Sequence, residues 1–212
     1  EHHGVDFTPL SQFRGPLYNM DITNEKTRLL DLSKKNQILQ KVNYGLKKDA
    51  YFDALTGLMN RSSLIDNASL RLAKSKRKQS KTAIFFIDID NFKKINDSLG
   101  HLIGDQVLIE TANRLKQIAR KEDVVARVGG DEFIEVLQMK SSNSLVNQAN
   151  RIMKVFKKPF EINSYSIQLS MSIGVAYFPK HGHSLRELVN NADLALLKAK
   201  ALGKKQVIVF DQ

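Results

Sequence analysis

Residues 82 to 90 read Thr-Ala-Ile-Phe-Phe-Ile-Asp-Ile-Asp, apolar almost throughout and closed by two acids. The run is too short, and too rich in β-branched and aromatic residues, for a helix core; it predicts a buried strand. Two alternating segments, Val124–Val128 and Glu132–Leu137, flank Gly129-Gly130 and predict a two-residue hairpin, because Gly-Gly accepts the positive φ such a turn demands. Helical spacing predicts helices near 61–77, 91–98, 102–120, 143–157 and 184–201, with further strands at 166–178 and 206–210. Helices alternate with strands, yet the hairpin is antiparallel, so the expected class is a mixed α/β (α+β) sandwich rather than a doubly wound sheet. Residues 1–20, with Pro9, Gly15 and Pro16, read as linker behind a tag remnant, Glu1-His2-His3. From 21 to 52 there is no proline, and Leu32, Leu39 and Leu46 recur every seventh residue, with Leu29, Asn36, Asn43 and Ala50 between them. Leu at one seam position and Asn at the other predicts a helical stalk forming a parallel two-stranded coil. Residues 53–212 form the globular domain.

The acids add chemistry to this frame. Alternation places Asp88 and Asp90 on one face of their strand. Strand-end carboxylates are costly unless exposed or bound to something. Together with Asp131 and Glu132 at the hairpin tip they make a hard oxygen cluster suited to Mg²⁺ or Mn²⁺ and to two-metal phosphoryl transfer. Directly after Asp90, Asn91-Phe92-Lys93-Lys94 opens a helix, and helix-start N–H groups with two lysines suit a phosphate. Asn96 and Asp105 offer an amide and a carboxylate that match a guanine edge, or else serve as helix caps.

Composition narrows the class. The chain has 212 residues, a net charge of +11 and no cysteine, so disulfide and thiolate chemistry are excluded and an anionic partner is expected. The basic run Lys74–Lys81 reads as a solvated loop. No apolar run approaches the roughly 20 residues of a membrane helix. No direct membrane contact is therefore expected, and a cytoplasmic location, as part of a larger protein, fits. No segment interleaves aromatic with basic residues, so nucleic acid is not an expected partner. His181 and His183 read as exposed loop residues.

Six motifs in order carry a resemblance. They are Asp53-Ala-Leu-Thr-Gly-Leu-Met-Asn-Arg61, Phe86–Asp97, Gly100-His-Leu-Ile-Gly-Asp105, Arg127-Val-Gly-Gly-Asp-Glu-Phe133, Ser172-Ile-Gly-Val-Ala176 and Ala192–Lys200. Together they resemble the GGDEF domain, the diguanylate cyclase family. The resemblance implies a palm-like fold, akin to nucleotide cyclases and polymerases, with a central mostly antiparallel sheet flanked by helices. It implies two GTP condensed to cyclic di-GMP with release of two pyrophosphates, in a homodimer holding one GTP per subunit. Carried over, Asp88, the Ile89 carbonyl, Asp131 and Glu132 hold the metal, and Asp131 helps deprotonate the attacking hydroxyl. Asn96 and Asp105 read guanine, while Asn91, Phe92, Lys93, Lys200 and Lys204 hold phosphate. Lys204 stands where the family usually has arginine, which keeps charge but loses the bidentate fork. Arg120 and Asp123 match the family's Arg-x-x-Asp product-inhibition site, with Arg151 as a further arginine; the bare residues alone would read as an ion pair three apart, ending a helix. The competing reading is a non-catalytic module that binds GTP or cyclic di-GMP for a larger signalling protein.

Overall fold

The computed structural model describes residues 24–38, 50–141 and 143–211. Contacts divide the chain into two units, Glu1–Lys47 and Lys48–Gln212. In the first, residues 24–38 are helical (α1), with Leu29, Leu32 and Ile38 each more than half exposed. Asn36 of the expected seam is exposed on the same helix and Ala50 is exposed and helical, while Leu39, Asn43 and Leu46 lie outside the described residues.

The second unit is built from α2 (Arg61–Lys78), β1 (Lys81–Ile89), α3 (Phe92–Leu99), α4 (His101–Ile118), β2 (Val124–Gly129), β3 (Glu132–Met139), α5 (Ser144–Val155), β4 (Phe160–Ile162), β5 (Tyr165–Ile167), β6 (Met171–Phe178), α6 (Leu185–Ala201) and β7 (Val207–Val209). Five strands form one sheet in the order β2-β3-β1-β6-β7, antiparallel except for the β6–β7 pair. β4 and β5 form a separate hairpin, so the single strand expected over 166–178 is two, broken at residues 168–170. β4 gave no periodic signal because it is only three residues long.

β1 is central because it is apolar on both faces. Phe85, Ile87 and Ile89 face α3, α4 and α5, packing with Val107, Leu115 and Ile152; Ile84 and Phe86 face α2 and α6, packing with Leu64, Ala68 and Leu188. Each such side chain contributes about 1.5–3 kcal/mol of transfer free energy. Gly174 of β6 permits the closest sheet–helix approach: a Cβ there would strike the Ala192 carbonyl and the Leu196 N–H of α6. α6 begins where Ser184 Oγ accepts from the Glu187 N–H at 3.2 Å and donates to Glu187 Oε1 at 2.9 Å, a reciprocal cap.

Three expectations are corrected here. Lys74, Lys76, Arg77 and Lys78 belong to α2 rather than a loop, where cations complement the negative end of the helix dipole. His181 is buried, with Nδ1 accepting from the Tyr177 N–H at 3.2 Å and the ring edge-on to Tyr177 and Phe210. The hairpin turn is Gly130-Asp131 instead of Gly129-Gly130, because a register shift between Arg127 and Gly129 consumes one extra residue in β2. Only Gly130 of the pair has positive φ, +37°.

Candidate active site

The β1–β3 register sets Asp88 directly opposite Glu132, on the sheet face that α6 crosses. Asp88 is 5% exposed, and Lys200 of α6 places its Nζ 2.6 Å from Asp88 Oδ2. Burial pushes the Asp88 carboxyl up to about 6; Asp131 and Glu132 push the same way and Lys200 opposes them. Burial also raises Glu132, helped by the charges of Asp131 and Asp193 and opposed by Lys200 and Arg61. Asp131, Glu132 and Asp88 thus crowd at one place as negative charges short of cations. Asp193 was not foreseen. It lies seven residues before Lys200, two helical turns, so both project from one face of α6; that spacing was the available signal.

Asp90 does not join this cluster. β1 ends at Ile89, so the alternation that paired Asp90 with Asp88 stops there. Asp90 Oδ1 accepts from Ser172 Oγ at 2.6 Å, and Oδ2 accepts from Ser170 Oγ at 2.6 Å and from the Lys205 N–H at 3.1 Å. It ties the end of β1 to β6 and to the loop after α6. Among the described residues no three His, Asp or Glu groups form a ready-made metal cage. The donor set still fits a hard divalent cation. Asp88 and Glu132 are opposed, Ile89 lies beyond the last β1–β3 rung, and the ammonium of Lys200 stands on Asp88 where positive charge is in demand.

The residues expected from the sequence to hold a phosphate follow directly on β1. Asn91 sits at the start of α3 in the left-handed region, φ 59°, and its Oδ1 accepts from Lys204 Nζ at 2.6 Å. Phe92 is buried, while Lys93 is exposed beside the open N–H groups of the first turn. Lys204 therefore braces Asn91. Asn96 on α3 and Asp105 on α4 are both half-buried. The cap reading fails for Asp105, since α4 starts at His101 behind Gly100. Gly104 makes room for Asn96: a Cβ there would overlap Asn96 Oδ1 and press on Phe92.

Arg127 is the further residue that sequence reasoning left unassigned. Its Nη1 donates to both Asp53 oxygens at 3.1 and 3.2 Å, and its Nε and Nη2 donate to the Gly130 carbonyl at 2.9 and 2.7 Å. Burial works against the Asp53 charge, but the Thr56 hydroxyl and N–H and the Arg127 guanidinium outweigh it and hold the carboxyl below its ordinary value. The turn at 53–60 thus grips the hairpin tip that presents Asp131 and Glu132. Asp53→Ala is expected to cost about 2 kcal/mol of stability by stranding a half-buried guanidinium. It should also lower the rate of any reaction at the tip about 10-fold at unchanged substrate affinity, as a misplaced tip would. Denaturant melts and a separation of kcat from KM test this; an unaltered kcat would remove the tip from the role.

At the far end of β2–β3, Asp123 Oδ2 accepts from the Arg120 backbone N–H at 2.9 Å, and no Arg120–Asp123 ion pair forms among the described residues. Asp123 Oδ1 is buried without a partner. Arg151 Nη1 donates to Gln148 Oε1 at 3.2 Å. The charges of Asp123, Arg151 and Arg120 all act on one buried group, Glu135, so the three residues are brought round a common point.

Known proteins resemble this chain in sequence and fold. Residues 50–206 match the family described as diguanylate cyclase, GGDEF domain. The bifunctional diguanylate cyclase/cyclic di-GMP phosphodiesterase MucR of Pseudomonas aeruginosa is 35% identical over 82% of this chain, which spans 25% of MucR. The crystal structure of the GGDEF domain of TpbB (YfiN) from the same organism superposes with a TM-score of 0.72 at 33% identity, over 74% of this chain and 99% of that one. The coiled coil and GGDEF domain of DgcB from Caulobacter crescentus, in complex with c-di-GMP, gives 0.74 at 26% identity, over 87% and 98%. The chain spans about a quarter or less of the first curated relatives it matches.

Proposed function

The chain belongs to the GGDEF domain family, and from that premise we propose that it is a diguanylate cyclase, condensing two GTP to cyclic di-GMP and two pyrophosphates. One observation carries the reading: Asp88 and Glu132 oppose each other on adjacent central strands, with Lys200 over them and the α3 cradle opening three residues on.

Asn96 and Asp105 hold the guanine edge, and the missing Cβ of Gly104 lets the Asn96 amide lie against α4. The first turn of α3, with Lys93, and Lys204 braced on Asn91 hold the phosphates. Asp88, the Ile89 carbonyl, Asp131 and Glu132 are the residues that would hold Mg²⁺ or Mn²⁺. That ion supplies Lewis-acid polarisation of the α-phosphate and neutralises charge on the leaving pyrophosphate. Lys200, whose ammonium stands on Asp88, would neutralise charge on the pyrophosphate. Asp131, whose charge acts on both Asp88 and Glu132, takes the proton of the attacking 3′-hydroxyl. Each of two attacks forms one O–P bond at an α-phosphate and breaks that phosphate's bond to its pyrophosphate, so two GTP yield one cyclic di-GMP and two pyrophosphates.

Each subunit carries one half-site, so turnover needs a homodimer. The exposed Leu29 and Leu32 of α1 support the stalk as its seam. Arg120, Asp123 and Arg151 form the product-inhibition site, supported by the orphaned Asp123 Oδ1, an acceptor fit for a guanine N–H. Among the described residues no helix is long and apolar enough to cross a membrane.

The test is incubation of the chain with GTP and Mg²⁺, with cyclic di-GMP followed by chromatography. Product formation that slows as product accumulates is expected, with Arg120→Ala removing the slowing and keeping the initial rate. Binding of GTP without product, even with a strong dimeriser fused to the N-terminus, would overturn the cyclase in favour of a binding module.

A further inference from the structure

On the side of α3 away from Asn96 and Asp105, a cleft of about 620 Å³ opens between α3, the end of α5 and the segment leading into β6. Its floor is apolar: Ile95 and Leu99 from α3, Met153 and Phe156 from α5, and Leu169. Lys94, Lys157 and Lys205 stand round it, all exposed, and none is in an ion pair among the described residues. Asp90 is the one carboxylate in its wall, and both its oxygens already accept from Ser170, Ser172 and the Lys205 N–H. Three lysines therefore line the cleft against one carboxylate that is committed elsewhere. The volume lies in the range of small-ligand sites, and an apolar floor with a few charged groups at the rim is their usual make-up.

We propose that this cleft is a second ligand site, taking a small amphiphile whose alkyl or aromatic body lies on the Met153–Phe156 floor and whose phosphate or carboxylate head meets Lys94, Lys157 and Lys205. It adjoins the nucleotide site, sharing Asn91 with it, but Asn96, Asp105, Lys93 and Lys200 do not line it. Its wall nevertheless includes Asn91 and Asp90, which frame the phosphate cradle.

The chain's five methionines provide the readout. Met153 and Met171 line the cleft; Met59 and Met139 do not. Octyl phosphate titrated into protein labelled with ¹³C at the methionine methyls should shift Met153 and Met171 saturably and leave Met59 and Met139 in place. Lys157→Glu, on an exposed side chain that does not bear on folding, should weaken binding about 10-fold, and uncharged octanol should bind about 10-fold more weakly than octyl phosphate, the loss expected for a charge-assisted contact. Met153→Trp should fill the cleft and abolish the Met171 shift. An excess of GTP should not displace the probe, so the result stands whether or not the chain is a cyclase. Co-sedimentation with phosphatidylglycerol vesicles, lost in Met153→Trp, would name a lipid as the source of the amphiphile; methyl shifts without co-sedimentation would name a free molecule. No saturable shift, shifts at all four methionines, equal affinity for octanol, or indifference to Lys157→Glu would overturn the site.

Discussion

Glu132→Gln is expected to reduce cyclic di-GMP formation by roughly 10³-fold or more, since losing an ionised oxygen ligand removes several kcal/mol of charge stabilisation at the reacting phosphate. The same variant should fold at least as well as the parent. Burial and the charges of Asp131 and Asp193 raise the Glu132 carboxyl, so the fold disfavours its ionised form. A carboxyl raised in this way supports the fold when protonated and loses that support as pH rises through its folded pKa. At pH 8 the amide therefore relieves repulsion that the parent endures. The expected pair of results is a melting temperature equal to or above the parent's, with turnover lost. Loss of turnover together with a lower melting temperature would point to unfolding instead, and full turnover would remove Glu132 from the metal set. A group that costs stability where it stands is a common mark of a site shaped for something other than folding.

The second large effect concerns Glu135, three positions along the same strand on the opposite face of the sheet. It is 1% exposed, and Gln148 Nε2 donates to both its oxygens at 2.7 and 2.8 Å. Burial pushes the carboxyl up from 4.5 to about 7; Gln148, Arg151 and Arg120 oppose this and Asp123 adds to it. Its strand partners Phe85 and Val125 bring no charge. A shift of this size is worth about 3 kcal/mol. Because the folded carboxyl is raised, its contribution is fully present below about 4.5 and is lost as pH rises through about 7. The parent should therefore lose stability between those values. Glu135→Gln should flatten that part of the curve and gain about 1–2 kcal/mol at pH 8, less than the full shift because the new amide meets the Gln148 amide imperfectly. Urea unfolding at pH 5 and pH 8 decides it: a variant that keeps the parent's pH slope would rule Glu135 out as its origin.

Glu135 also shows where reading a chain in one dimension ends. It occupies an inward position of a strand whose neighbours Phe133 and Leu137 are core, so alternation alone demands an apolar residue there. Gln148 on α5 supplies the missing partner, and nothing near residue 135 in the chain announces it. Asp90 repeats the lesson. Its proximity to Asp88 in sequence suggested a shared role, yet the strand stops one residue earlier, and Ser172 of β6 and Ser170 just before it take the carboxylate.

By itself, the sequence determined the strands of the central sheet, the helices near their observed limits, the mixed α/β class, the family, and the acids, lysines and amide from which the candidate site is made; it missed β4 and merged β5 with β6. These rest on neighbours: period-2 and period-3.6 patterns, turn residues and contiguous motifs are all set within a few positions along the chain. The tertiary structure alone decided that Lys200 stands on Asp88, that Asp53 holds Arg127 and through it the hairpin tip, that Lys204 braces Asn91, that Asp193 joins the acids, and that His181 is buried. Each of those outcomes depends on which distant segments the sheet order and the helix packing bring within about 3 Å, the reach of a hydrogen bond. Local periodicity leaves that choice open. It is made when β1 pairs with β3 and β6 at once and α6 closes over them at Gly174.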